Sequence, residues 1–276
     1  MRTALSSAFT FAFCLFTFDF LCYHPFNSMP VKQEPNIYEE LRERLRSARQ
    51  VLVLTGAGVS AESGVPTFRG GGNTAVWKGM PFEVISSVLM VRSNLPEVWE
   101  WFDYRRGVLG HCQPNAAHTT LARWQDTFPR FTLVTQNIDG LHAAAGSREV
   151  LELHGNVWRA RCLDCGWTED IRRLEADERP PVCRACGEAM RPDVVLFGEV
   201  LPASVFEEAA ERASECDLCF VVGTSAIVYP AAALPSEARS AGAYLVEVNP
   251  EPTPLSEICD VTIRGLAGEV LPRLEF

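Results

Sequence analysis

A chain of 276 residues with an ordinary apolar content of 47% has room for one large domain, or for a large domain carrying a small insert. Its formal net charge of −10 makes it a poor partner for polyanions, which argues against nucleic-acid binding, while lysine-rich protein segments would be attracted. Ten cysteines, four of them in two Cys-x-x-Cys pairs and the rest scattered singly or in apolar runs, fit a reducing compartment with one metal site better than a disulfide scaffold.

Residues 1–28 read as an extension. Ala8 to Tyr23 is strongly apolar behind Arg2, yet it is short for a membrane span and is interrupted by Asp19. It has the outline of a signal peptide without a clear small-x-small cleavage site after Phe20. A true start at Met29, with the preceding residues a translation-start artefact, is the expectation, and the folded domain is then 29–276.

From Ile37 to Ala48, apolar residues at helical spacing among alternating charges predict an exposed amphipathic helix. Short β-branched runs then recur at Val51–Gly56, Phe131–Gln136, Leu218–Thr224, Tyr244–Asn249 and Asp260–Gly265. Strands apolar on both faces belong to a parallel sheet covered by helices. Helical candidates lie between them, at Pro96–Leu109, Ala116–Thr127, Ser204–Ala213 and Ala231–Ala241. Alternating strand and helix predicts an α/β fold, a Rossmann-like doubly wound parallel sheet. The alternation breaks near 158–193, too short a stretch for its own apolar core, which is expected to be a small zinc-ribbon insert.

That insert holds Cys162-Leu-Asp-Cys165-Gly and Cys183-Arg-Ala-Cys186-Gly. Each pair sets two thiolates on one knuckle, and two knuckles make a tetrahedral S₄ site suited to zinc. All four positions come from protein, so the metal is structural. Two redox-active dithiols are the weaker alternative. Cys216-Asp-Leu-Cys219 has the same spacing but no glycine knuckle and no partner pair, and reads as buried cysteines on a core strand.

After the first strand comes Gly56-Ala57-Gly58-Val59-Ser60-Ala61, the spacing of a dinucleotide-binding turn. Glycines let backbone approach a pyrophosphate, and a following helix N-terminus offers free N–H groups. A dehydrogenase would place an acidic ribose ligand about twenty residues on. Here the chain instead runs Val65-Pro66-Thr67-Phe68-Arg69-Gly70-Gly71-Gly72, a glycine-rich loop with an aromatic and a cation. Two further clusters stand out: Thr135-Gln136-Asn137-Ile138-Asp139-Gly140-Leu141-His142 at a strand's carboxyl end, and Leu153-His154-Gly155 before the insert.

These motifs, with Gly223-Thr224-Ser225 and Val248-Asn249, closely resemble the sirtuins over roughly Tyr38 to Leu274 and in the family's order. The resemblance implies an NAD-dependent protein-lysine deacylase that releases nicotinamide and 2′-O-acyl-ADP-ribose, with residues 29–276 its catalytic domain. By the same resemblance, His154 is the general base and Asn137 a second catalytic residue. The cofactor would be held by Gly56, Ala57, Gly58, Ser60, Ala61, Thr67, Phe68, Arg69, Gln136, Asn137, Ile138, Asp139, Gly223, Thr224, Ser225, Asn249 and Ala267. An acylated peptide would pair as a strand near Phe197, Gly198 and Glu199. Mono-ADP-ribosyl transfer is an alternative with the same cofactor. A zinc-ribbon interaction module is a third reading that fits only the cysteines. Acylated-lysine proteins are the expected partners, without nucleic acid or membrane, and a cytoplasmic monomer is expected.

Val98-Trp99-Glu100-Trp101-Phe102-Asp103-Tyr104-Arg105-Arg106 resembles the class III sirtuins, in which a Tyr-x-x-Arg pair grips the carboxylate of succinyl- or malonyl-lysine. Here the tyrosine position is Phe102, while Arg105 is present. Arg105 alone still offers a charge-assisted bond. Tyr104 lies about 100° around the helix and is not expected to substitute. Arg106 is expected to be a solvated surface arginine. Deacetylation is expected, with desuccinylation and demalonylation weakened.

Overall fold

The computed structural model describes residues 34–66, 76–173 and 180–275. The extension 1–28 and the expected cofactor contacts Thr67, Phe68 and Arg69 therefore lie outside the described residues. In chain order come α1 (Glu34–Ser47), β1 (Gln50–Thr55), a 3₁₀ segment (Ala57–Ser63), the short strands β2 (Val76–Trp77) and β3 (Met80–Pro81), and α2 (Phe82–Ile85), α3 (Val88–Ser93), α4 (Leu95–Leu109) and α5 (Ala116–Thr127). The middle of the chain holds β4 (Arg130–Thr135), α6 (Leu141–Ala144), β5 (Val150–Glu152), β6 (Gly155–Cys162), β7 (Thr168–Asp170) and β8 (Met190–Val194). It finishes with α7 (Ala203–Glu215), β9 (Leu218–Val222), α8 (Leu234–Ser240), β10 (Tyr244–Val248), β11 (Val261–Ile263) and α9 (Ala267–Val270).

The main sheet has the order β11-β10-β9-β1-β4-β5, and every pairing in it is parallel. Alternation along β1 explains why the sheet needs helices on both faces. Val51 and Val53 point to one side, into a core with Leu121 and Trp124 of α5, Leu41 and Leu45 of α1 and Val270 of α9. Leu52 and Leu54 point to the other, against Ala209 and Ala213 of α7 and Leu234 and Ala238 of α8. A strand buried on both faces must be apolar throughout, which is what its sequence carries. Cys216 and Cys219 belong to this second core, as expected, and are buried. The chain reverses strand order on either side of β1, so polar loops gather beyond the carboxyl ends of β1, β4 and β9.

A separate antiparallel sheet, β7-β6-β8, spans 155–194, slightly wider than the 158–193 expected for the insert. It brings its own small core of Ala160, Cys162, Ile171, Cys183 and Met190, and Trp99 of α4 fills the middle of it. Trp99 Nε1 donates to the Met190 carbonyl at 2.8 Å. Arg106 also joins α4 to this sheet, donating to the Val157 carbonyl at 3.0 Å and to Asp103 Oδ1 at 2.6 Å. The expectation that Arg106 is solvated is therefore wrong. It is buried because it reaches between elements to a carbonyl, with Trp99 beneath its guanidinium at 5.1 Å.

Phe220 at the centre of β9 is fully buried and meets Trp124 edge-on at 5.3 Å. Removing its ring leaves a cavity between the sheet and α5, so Phe220→Ala is expected to destabilise the fold by ~3–5 kcal/mol. Urea unfolding followed by far-ultraviolet dichroism measures this, and a loss under about 1 kcal/mol would contradict the packing described.

Candidate active site

The turn after β1 packs directly on the turn after β9. Gly58 N–H donates to the Gly223 carbonyl at 2.7 Å, and Gly56 N–H donates to Val222. A Cβ on Gly56 would stand 2.7 Å from Thr224 Cβ, and one on Gly58 would stand 2.7 Å from the Gly223 oxygen. These glycines are thus demanded by chain meeting chain at this junction. The segment that follows is 3₁₀ rather than α-helical.

Thr55, Gln136, Asn137, Asp139, His154 and Thr224 converge on this junction. Gln136 Nε2 donates to Thr224 Oγ1 at 3.0 Å. Asn137 Nδ2 donates to the Gly56 carbonyl and to Ser60 Oγ, each at 3.1 Å. Ser60 Oγ donates in turn to Asp139 Oδ2 at 2.8 Å, and Asp139 Oδ1 accepts Leu141 N–H at 2.9 Å. Burial raises the Asp139 carboxyl above its ordinary range, and these two donors oppose the shift. Asn137, Asp139 and Ser60 are all buried, so the floor of the site is polar but dry.

His154 sits at the rim, half-buried, with Nδ1 at 2.8 Å from the Gln136 carbonyl. A carbonyl only accepts, so Nδ1 carries the proton and Nε2 keeps its lone pair. That is the tautomer of a general base. Burial lowers its pKa from the ordinary 6.5, and the hydrogen bond to Gln136 opposes the shift only in part.

Two functional neighbours escaped the sequence reading as such: His118 and His142, both buried and 4.8 Å apart. His118 Nδ1 accepts Asn115 N–H at 3.2 Å, closing a capping box at the start of α5. Its Nε2 then carries the proton and donates to Ser60 Oγ at 3.3 Å. The Asn-x-x-His spacing at a helix start was the available signal. Burial pushes the His118 pKa down to about 4 and that of His142 to about 3, so both are neutral at physiological pH.

Of the remaining predicted residues, Ala57 and Ala61 lie in the 3₁₀ segment and Ile138 packs beside the α4 cluster. Ser225 follows Thr224 in the β9 turn, and Asn249 follows β10, its Nδ2 donating to the Glu251 carbonyl at 2.6 Å. Ala267 opens α9 with its methyl buried in the core. On α4, Phe102 is only 3% exposed, among Val98, Leu141, Val157 and Val194. Arg105 is half-buried, 5.7 Å from the Trp101 ring centroid. Desolvation lowers the Arg105 pKa, and Tyr104 and then Asp139 act against that. The Tyr104 ring lies 4.9 Å from that of Trp77 and 5.9 Å from that of Trp101.

Phe197 and Gly198 are exposed beyond β8. Phe197 already exchanges backbone bonds with Ser86 and Val88, at 2.9 and 3.2 Å. The N–H and C=O of Gly198, at φ +89°, make no hydrogen bond among the described residues. A strand arriving on that side would find them available.

The four cysteines fit a zinc ion. Cys162 and Cys186 sulfurs lie 3.4 Å apart and those of Cys165 and Cys183 3.7 Å, with all four within 4.8 Å of one another. A tetrahedron of sulfurs at the ordinary Zn–S distance has edges of about 3.8 Å. No further His, Cys, Asp or Glu joins the cluster among the described residues, which makes it a closed, structural site.

An NAD-binding α/β sheet with a zinc-stapled module beside the cofactor cleft is the class defined by this fold and site. The Sir2 family profile matches residues 56–230, and the chain belongs to the Sir2 family. It is 47% identical to "NAD-dependent protein deacylase 2" of Pyrobaculum aerophilum over 230 residues, 83% of this chain and 91% of that one. A solved Sir2 homologue–NAD complex superposes with a TM-score of 0.79 at 38% identity, covering 86% of this chain and 91% of that one. A Sir2–p53 peptide–NAD⁺ complex gives 0.74 at 33% identity, with 88% and 97% covered.

Two outcomes follow from this geometry. With its pKa lowered, His154 stays neutral in mildly acidic solution, so on the reading that takes it as the base the acid limb of the kcat/KM profile centres below 6.5. A limb at or above that value would contradict the burial of the imidazole. Stripping zinc with a thiol-directed reagent and chelator should release about one ion per chain. With the staple gone, Trp99 loses its cover, so tryptophan emission should shift to the red and Tm should fall. Unchanged emission and Tm would mean the module stands without metal.

Proposed function

We infer that this chain removes acyl groups from protein lysines while consuming NAD⁺, with His154 as the general base. The observation that carries this reading is the 2.8 Å contact of His154 Nδ1 with the Gln136 carbonyl, which assigns the proton to Nδ1 and leaves the lone pair on Nε2. Bound NAD⁺ supplies the ribose carbon that receives the acyl oxygen as nicotinamide leaves. His154 Nε2 takes the proton from a ribose hydroxyl, so that oxygen can attack the acyl carbon. Asn137 and Asp139, held by Ser60, orient the ribose and the nicotinamide. Gly223, Thr224, Ser225 and Asn249 hold the phosphates and the adenosine ribose. As the ribose oxygen bonds to the acyl carbon the lysine amine leaves it, and one water supplies the remaining oxygen, so that nicotinamide, free lysine and 2′-O-acyl-ADP-ribose are the products.

The peptide main chain pairs with Gly198, whose N–H and C=O make no hydrogen bond among the described residues. The acidic chain suits a lysine-rich partner and not a nucleic acid. A monomer in the cytoplasm, where reduced thiols and NAD⁺ coexist, is the working state. No helix of the described residues is long and apolar enough to cross a membrane. The zinc module, about 158–193, braces α4 through Trp99, and Arg106 adds a bond to the Val157 carbonyl just before it, which together hold Arg105 at the site.

Nicotinamide release that depends on an acyl-lysine peptide and vanishes in His154→Tyr is the expected result. Release that ignores the peptide, or survives the substitution, would overturn the reading. Acetyl-lysine is the better substrate, because Phe102 has no hydroxyl to share with Arg105 in gripping a carboxylate. A charge-assisted hydrogen bond contributes ~1.5–3 kcal/mol, so Arg105→Met should lower kcat/KM for succinyl-lysine roughly tenfold or more. The acetyl-lysine value should hold within about threefold. Equal losses on both peptides, or an absolute preference of the native enzyme for succinyl-lysine, would contradict this ranking.

A further inference from the structure

His142 has no part in the chemistry above, yet it is 3% exposed and lies directly beneath the site. Its Nε2 stands 2.9 Å from Thr55 Oγ1. Thr55 Oγ1 donates to Thr135 Oγ1 at 2.8 Å, and Thr135 Oγ1 also accepts the Asn137 backbone N–H at 3.1 Å. The two threonines are partners in register, the last residues of β1 and β4, so sheet pairing itself sets their hydroxyls side by side. Among the described residues His142 Nδ1 has no hydrogen-bond partner.

Proton accounting gives this chain one direction. Burial keeps the imidazole neutral, with a single N–H to place. On Nδ1 that N–H would be a buried donor without an acceptor, which is strongly disfavoured. On Nε2 it donates to Thr55, and the Thr55 hydroxyl is then free to donate to Thr135. Thr135 thus receives one hydrogen bond from each side, from Thr55 and from the Asn137 amide. The Asn137 backbone is pinned where its side chain can donate to Gly56 and Ser60.

We propose that His142 is a positioning residue: through Thr55 and Thr135 it fixes the backbone of Asn137, and so the orientation of the Asn137 amide toward the ribose. This rests on the reading that Asn137 acts at the ribose. Hydrogen-bond chains in a dry interior reinforce one another, so breaking either end should disturb Asn137 to a similar degree.

The test uses full-length, zinc-loaded protein and acetyl-lysine peptide, reading kcat and KM for nicotinamide release. His142→Leu and Thr55→Val should each lower kcat by about tenfold, with the peptide KM within about twofold. The double variant should fall no further than the worse single, because both changes break one chain. His142→Gln sets an amide nitrogen near the place of Nε2 and should recover kcat to within about threefold of native, whereas His142→Asn, which mimics Nδ1, should not. Losses that multiply in the double variant, singles within about twofold of native, or Gln and Asn variants that behave alike would overturn the proposal. Should His142→Leu fail to fold, the Thr55→Val loss and the Gln–Asn contrast decide it alone. A native chain that releases no nicotinamide would sink the deacylase reading and this inference with it. An active native chain with unaffected variants sinks only the role given to His142.

Discussion

The contact on which the site depends is the one between two strand-end turns, with Gly58 N–H on the Gly223 carbonyl at 2.7 Å. No side chain larger than hydrogen fits on either side of it, since a Cβ on Gly223 would come within 2.4 Å of Val59 N. Pressing these turns together sets the spacing between the ends of β1 and β9, and β4 is hydrogen-bonded to the other side of β1. Gln136 then reaches Thr224, and Asn137 reaches Gly56. The polar groups of the site are therefore cross-links between strand ends, held by a sheet whose central strands β1 and β9 are buried and apolar on both faces up to their carboxyl ends.

Because the floor is buried, each donor there must find an acceptor, and the protons become ordered. His118 donates to Ser60, Ser60 to Asp139, and the Gln136 carbonyl takes the proton of His154 Nδ1. A floor arranged in advance has no reorganisation to undergo when charge develops above it. The second support is the zinc module. Four protein thiolates leave no position open for catalysis, and its small core closes around Trp99 of α4, the helix that also carries Arg105.

Much of this was legible in the residues. Val51–Thr55 and Leu218–Val222 announce strands buried on both faces, and the boundaries of α5 are those its pattern predicted. The cysteine spacing located the metal cluster. β5 went unread because three half-buried residues on a sheet edge leave no periodicity. The strands β6 to β8 went unread because charge and proline there mask a fold held by metal and by Trp99. Arg106 was misread because a charged residue beside a charged residue looks solvated, and only tertiary contact reveals the Val157 carbonyl it serves. His118 and His142 carry roles set by three-dimensional partners, and nothing in their own neighbourhoods in the chain marks His142 as paired to Thr55.

The proposed chemistry requires that the fold deliver His154 as a neutral imidazole protonated at Nδ1. Long-range nitrogen–proton correlation spectra of histidine-labelled protein test this directly, with the resonances of His154 identified among the five histidines by their loss in His154→Tyr. At neutral pH the account predicts one protonated nitrogen, Nδ1, and an Nε2 shift typical of a bare lone pair. A proton on Nε2, or an imidazolium at that pH, would contradict it.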